Sequence, residues 1–91
     1  MMKLFCCYAY FSINKIKQIE AIRPKHIEYI KSQKNIQYGG VITNEDDTYK
    51  GVLIIFYAND SKSAKEIIRL DPYFELYDRC EINNFNQKIP N

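Results

Sequence analysis

His26 is the only histidine in the chain, and imidazole is the side chain best suited to acid–base work near neutral pH. A histidine base needs an orienter. A carboxylate on one ring nitrogen fixes the tautomer and leaves the other nitrogen able to take a proton. Asp71, within Asp71-Pro72-Tyr73, is the candidate carboxylate. Arg23 stands three residues before His26, which places both on one side of a helix. Its guanidinium could hold a substrate carboxylate or phenolate bidentately. Tyr73 could donate its hydroxyl to a substrate oxygen, and Gly39-Gly40 could let a ligand approach the backbone. Each residue also has a plainer account. A lone helical histidine is usually a surface or boundary residue, Asp-Pro often just stops a helix, an arginine is usually solvated, a tyrosine packs, and a glycine pair marks a bulge. The three cysteines form no C-x-x-C and have no second histidine, so no zinc site is expected. With no P-loop, no G-x-G-x-x-G and no serine in a nucleophile elbow, no cofactor is expected either.

The elements that must position these residues follow from the apolar pattern. Residues 3–11 are apolar almost throughout and aromatic-rich, which predicts a strand buried on both faces. Ser12 and Asn14 are N-cap types, and Ile16, Ile19, Ile22, Ile27 and Ile30 follow at helical spacing. Pro24 interrupts that run, so the main helix is expected to begin near Arg23 after a looser turn. A short strand over 36–42, a turn at 44–47 and a second continuous apolar strand over 51–58 come next. Asn59-Asp60-Ser61 caps a second helix with Ala64, Ile67 and Ile68 on one face, and Pro72 closes it. A last strand over 78–85 completes one domain spanning 1–88, with a frayed tail at 89–91.

The order β-α-β-β-α-β predicts an α+β, ferredoxin-like fold, with a four-stranded antiparallel sheet and both helices on one face. The first and last strands should then be antiparallel neighbours. The start of the first helix and the end of the second would lie over the same sheet edge. His26 and Asp71 sit at those two ends, so the topology predicts that they meet.

Helices cover one sheet face, yet the first and third strands are apolar at both parities. The uncovered face is too apolar for a monomer of 91 residues, whose own core is thin. A homodimer, a sheet packed on a sheet, is expected. The rival occupant is RNA, because RNA-recognition motifs share this topology and carry Lys/Arg-Gly-aromatic-Gly-aromatic on the third strand. Lys50-Gly51 matches that motif, but Val52 and Ile54 occupy its stacking positions and leave only Phe5 to stack a base. A net charge of +2 adds no basic patch, so no nucleic-acid partner is expected. The apolar run near the start is too short to span a membrane and lacks a signal-peptide cleavage site, so no membrane association is expected. Adjacent Cys6 and Cys7 would point to opposite faces of a strand and the cysteine count is odd, which fits a reducing, cytoplasmic setting.

Taken together, Arg23-Pro24-Lys25-His26 with Ile27 and Tyr29 behind, Gly39-Gly40, the apolar strand opened by Gly51, Ala64 and Asp71-Pro72-Tyr73 resemble the YciI-like (YCII-related) family. Glu75-Leu76-Tyr77 departs from the small or glycine residue usual there. The resemblance covers essentially residues 1–88 and implies a dimeric α+β barrel of ferredoxin-like subunits. It also implies a His–Asp pair in a pocket, mapping onto His26 and Asp71, with Arg23 as the matching arginine. One characterised type within the family removes chloride from a chlorinated hydroxyquinol. The expected function is therefore a cytoplasmic homodimer with a small-molecule pocket and cofactor-free lyase or isomerase chemistry on a small polar or aromatic acid. In it His26 would be the base, Asp71 its orienter and Arg23 an anion anchor. A non-catalytic dimeric binding or accessory protein is the alternative.

Overall fold

The computed structural model describes residues 1–90; Asn91, the last residue of the expected tail, lies outside the described residues. The elements are β1 (Lys3–Phe11), a 3-10 turn (Ile13–Gln18), α1 (Ile19–Ser32), β2 (Ile36–Thr43), β3 (Tyr49–Ala58), α2 (Ser61–Arg69), a second 3-10 turn (Pro72–Leu76) and β4 (Tyr77–Asn84). The strands form one antiparallel sheet in the order β2-β3-β1-β4, the ferredoxin-like arrangement, with the first and last strands paired.

Pairing register decides which parity of the two apolar strands faces the helices. Phe5 lies opposite Phe56, Cys7 opposite Ile54 and Ala9 opposite Val52, and all six are buried beneath the helices. Ile19 of α1, Ala64 and Ile68 of α2, and Tyr73 and Leu76 of the second 3-10 turn close this core. The other parity, with Leu4, Cys6, Leu53 and Tyr57, lies on the uncovered face. This corrects the RNA comparison: Val52 and Ile54 are core residues, as is Phe5 at 2% exposure, so none occupies a base-stacking position. A strand apolar at both parities does not reveal its own facing; only its neighbours' register does. Gly51 permits the close approach of β3 to β1, because a Cβ there would stand 2.1 Å from the Ala9 carbonyl oxygen.

The first helix begins earlier than its proline suggests. It starts at Ile19, with Pro24 inside it, not near Arg23. An interior proline costs about 3 kcal/mol through its missing N–H and a clash with the carbonyl four residues back. Here that carbonyl belongs to Glu20, and both Glu20 and Pro24 are exposed, so water can satisfy it. Ile19 is 2% exposed, and burying one such side chain contributes roughly 1.5–3 kcal/mol, which offsets the cost. Ser12 occupies the N-cap place of the preceding 3-10 turn with no side-chain cap bond. Asp60 does cap α2, its carboxylate accepting from the Ser63 N–H at 2.7 Å. The 3-10 turn after Pro72 was not anticipated; it delivers the chain into β4 at Tyr77.

Candidate functional site

Asp71 ends one element and begins another. Pro72 holds it extended, at φ −68° and ψ 129°, between α2 and the second 3-10 turn. In that position its carboxylate Oδ1 accepts the Tyr73 N–H at 2.9 Å and caps the turn. The same oxygen lies 2.7 Å from Nδ1 of His26, and Oδ2 lies 3.0 Å from it. The side chain of Asp71 is 1% exposed and that of His26 16%. A buried carboxylate is costly unless it is hydrogen-bonded; one partner here is the local Tyr73 N–H and the other is His26, which the packing of α1 brings from 45 residues away. The helix-stop account and the orienter account of Asp71 therefore describe one arrangement. His26 comes to it from the second turn of α1, and Nε2 has no hydrogen-bond partner among the described residues.

Tyr73 packs its ring flat on the imidazole, with centroids 3.7 Å apart and planes 7° from parallel. Phe11 meets the same tyrosine edge-on at 5.3 Å. The imidazole can therefore neither tilt nor slide without disturbing the core. Burial pushes the Tyr73 phenol above its ordinary pKa, and the Arg23 guanidinium beside it partly opposes this. The Tyr73 hydroxyl in turn holds Arg23 more firmly charged. Arg23 also lies 4.7 Å above the ring of Tyr49, a cation–π contact that fixes the guanidinium over the cavity.

The cavity is about 280 Å³ and opens between α1 and the β2–β3 half of the sheet. Its polar wall consists of Arg23, His26, Tyr49 and Tyr73, and its apolar wall includes Ile30, Val52 and Ile54. A 150 Å³ apolar cavity can take benzene, so this one has room for a substituted single ring. Gly39 and Gly40 lie on its rim. They mark no bulge, because the register shifts fall between Ile36 and Tyr38 and between Ile42 and Thr43. Gly39 has a structural reason: a Cβ there would stand 2.8 Å from the Leu53 carbonyl oxygen. A Cβ on Gly40 would meet nothing within 4 Å. Asp71 does not line the cavity; it lies behind His26.

The structure thus brings Arg23, His26, Asp71 and Tyr73 together and puts both glycines at the mouth. Sequence reasoning missed Tyr49. Its only signal was an aromatic residue at the start of β3, beside Lys50-Gly51, and the pairing of Tyr49 with Thr43 across the hairpin is what turns it toward Arg23. Tyr29, one turn beyond His26, was noted only as part of a motif; its hydroxyl donates to the Ile67 carbonyl and ties α1 to α2. Among the described residues no three metal-ligating side chains gather, and no helix is long and apolar enough to cross a membrane.

Comparison with solved structures shows the fold in other proteins. A 5-chloro-2-hydroxyhydroquinone dehydrochlorinase (TftG) from Burkholderia phenoliruptrix AC1100, solved in complex with 2,5-dihydroxybenzoquinone, superposes with a TM-score of 0.82. The two chains are 18% identical over 92% of this one and 94% of the other. A cofactor-independent oxygenase, SnoaB from Streptomyces nogalater, gives a TM-score of 0.57 at 11% identity, over 99% of this chain and 98% of that one. A protein from Bacteriodes thetaiotaomicron VPI-5482 named for antibiotic biosynthesis monooxygenases gives 0.58 at 11% identity, over 98% of this chain and 91% of that one. No curated protein sequence matches the chain. The model of the YCII-related domain matches residues 3–86, nearly the whole folded chain from the first residue of β1 to just past β4. The protein belongs to the YCII-related family.

Proposed function

We propose that the chain is a homodimeric small-molecule protein whose His26–Asp71 pocket carries out cofactor-free proton abstraction, as a lyase or isomerase, on a small polar or aromatic acid. The observation that carries this is the Nδ1–carboxylate contact of 2.7 Å behind an imidazole whose Nε2 has no protein partner and which lines the cavity. With Asp71 accepting from Nδ1, the neutral ring keeps its lone pair on Nε2, and Nε2 is the atom that takes the substrate proton. Asp71 stabilises the imidazolium that forms. Arg23, held over Tyr49 and beside Tyr73, neutralises a carboxylate or a developing phenolate on the substrate. The apolar wall shields the ring of the substrate from water. The likeness to a dehydrochlorinase holding a dihydroxybenzoquinone supports an aromatic, oxygen-rich ligand.

The homodimer forms through the uncovered sheet face, where Leu53 is 39% and Tyr38 55% exposed. A cytoplasmic setting accords with three unpaired thiols.

The test uses 2,5-dihydroxybenzoquinone as probe. Calorimetry should show binding that weakens about tenfold or more in Arg23→Met, since a charge-assisted pair contributes roughly 1.5–3 kcal/mol. Chloride release from 5-chloro-2-hydroxyhydroquinone should fall about 10²- to 10⁴-fold in His26→Ala. Binding without turnover would favour the non-catalytic alternative. Absence of binding would overturn the assigned ligand class.

A further inference from the structure

Two of the three cysteines come together away from the pocket. Cys7 lies opposite Ile82 and Ala9 opposite Cys80 in the β1–β4 register, so Cys7 and Cys80 share the helix-facing side on neighbouring strands, one step apart on the diagonal. Their sulfurs are 3.8 Å apart. Cys7 is wholly buried, while Cys80 is partly exposed on β4, an edge strand of the sheet. Cys6 points to the opposite face and takes no part. The pair has no role in the site described above.

We propose that Cys7 and Cys80 are an oxidation site, in which the reachable Cys80 reacts with a hydroperoxide and the buried Cys7 resolves it to an intrachain disulfide. In the first step the Cys80 sulfur attacks the peroxide: an S–O bond forms, the O–O bond breaks, and water or an alcohol leaves. In the second the Cys7 sulfur attacks the Cys80 sulfenic acid: the S–S bond forms, the S–O bond breaks, and hydroxide leaves with the Cys7 proton as water. The two thiols lose two electrons and two protons, and the hydroperoxide is reduced. Closing 3.8 Å to the ~2.05 Å of a disulfide asks for about 1.8 Å of movement, shared between two strands, one of them free at its outer edge. The contact also divides the roles. The Cys7 S–H donating to Cys80 lowers the Cys80 pKa, while that bond and then burial raise the Cys7 pKa. A dithiol reductant reverses the reaction.

The experiment treats the reduced full-length chain with hydrogen peroxide, blocks remaining thiols with a maleimide and weighs the product. The expected product is lighter by two hydrogens before blocking, takes up maleimide on Cys6 alone, and yields a Cys7–Cys80 cross-linked peptide. Dithiothreitol should then return two thiols, Cys7 and Cys80. Three blocked thiols after peroxide, or a product joined through Cys6, would overturn the assignment. In Cys7→Ala the sulfenic acid should persist at Cys80 and be trapped by dimedone, and in Cys80→Ala no label should reach Cys7. Dimedone on Cys6 alone in the Cys7→Ala chain would equally refute it.

Discussion

Replacing Asp71 with alanine separates the two tasks of that carboxylate. Neutral imidazole can carry its proton on either nitrogen with only a small intrinsic preference, so a strong acceptor at one nitrogen decides the outcome. A hydrogen bond to an ionised carboxylate is worth roughly 1.5–3 kcal/mol, and each 1.4 kcal/mol is about tenfold in a ratio. With Oδ1 2.7 Å from Nδ1, the Nδ1–H form should therefore exceed the other by about ten- to a hundredfold. Long-range ¹⁵N–¹H correlation spectra at alkaline pH read this directly, and because His26 is the only histidine there is no overlap. In Asp71→Ala the preference should vanish. The same change strands the buried Tyr73 N–H, now without its 2.9 Å acceptor, and an unsatisfied buried donor costs roughly 1–3 kcal/mol. Together with the lost histidine contact, the variant should melt on the order of 10–20 °C lower. Asp71→Asn, which can still accept from that N–H, should lose less. An unaltered tautomer ratio in Asp71→Ala, or an Nε2–H ring in the wild type, would refute the assignment of Asp71 as orienter and of Nε2 as the base.

Gly39→Ala should lose about 1–3 kcal/mol in denaturant unfolding, because the new Cβ meets the Leu53 carbonyl at 2.8 Å, whereas Gly40→Ala should be nearly neutral. Leu53→Asp places a charge in the middle of the uncovered face and should convert the proposed homodimer to monomer by light scattering at micromolar concentration; a dimer that survives would move the interface elsewhere. Tyr29→Phe removes the hydroxyl that ties α1 to the Ile67 carbonyl and should cost about 1 kcal/mol by thermal unfolding, with the larger change in amide exchange near the end of α2.

Local chemistry alone was enough for the element order. Unbroken apolar runs rich in β-branched and aromatic residues, bounded by turn residues, mark β1 and β3 because such short runs favour strands over helices. Asp60 and Pro72 mark the ends of α2 because an acidic N-cap and a ring-locked backbone act within a few residues. The βαββαβ order then confines both helices to one face, which is why the meeting of His26 and Asp71, 45 residues apart, could be foreseen from topology. The remaining features depend on distant partners. Whether Val52 and Ile54 face helices or the open side follows from pairing register, since each strand is apolar at both parities. That α1 runs through Pro24 follows from the burial of Ile19 and from water at the Glu20 carbonyl, which no local propensity contains. Tyr49 at Arg23, the ring of Tyr73 flat on His26, and the facing sulfurs of Cys7 and Cys80 exist only because non-neighbouring elements pack together. Short-range forces determine where each element begins and ends; which side chains touch across elements is decided by the shared core, and the candidate site is made of such contacts.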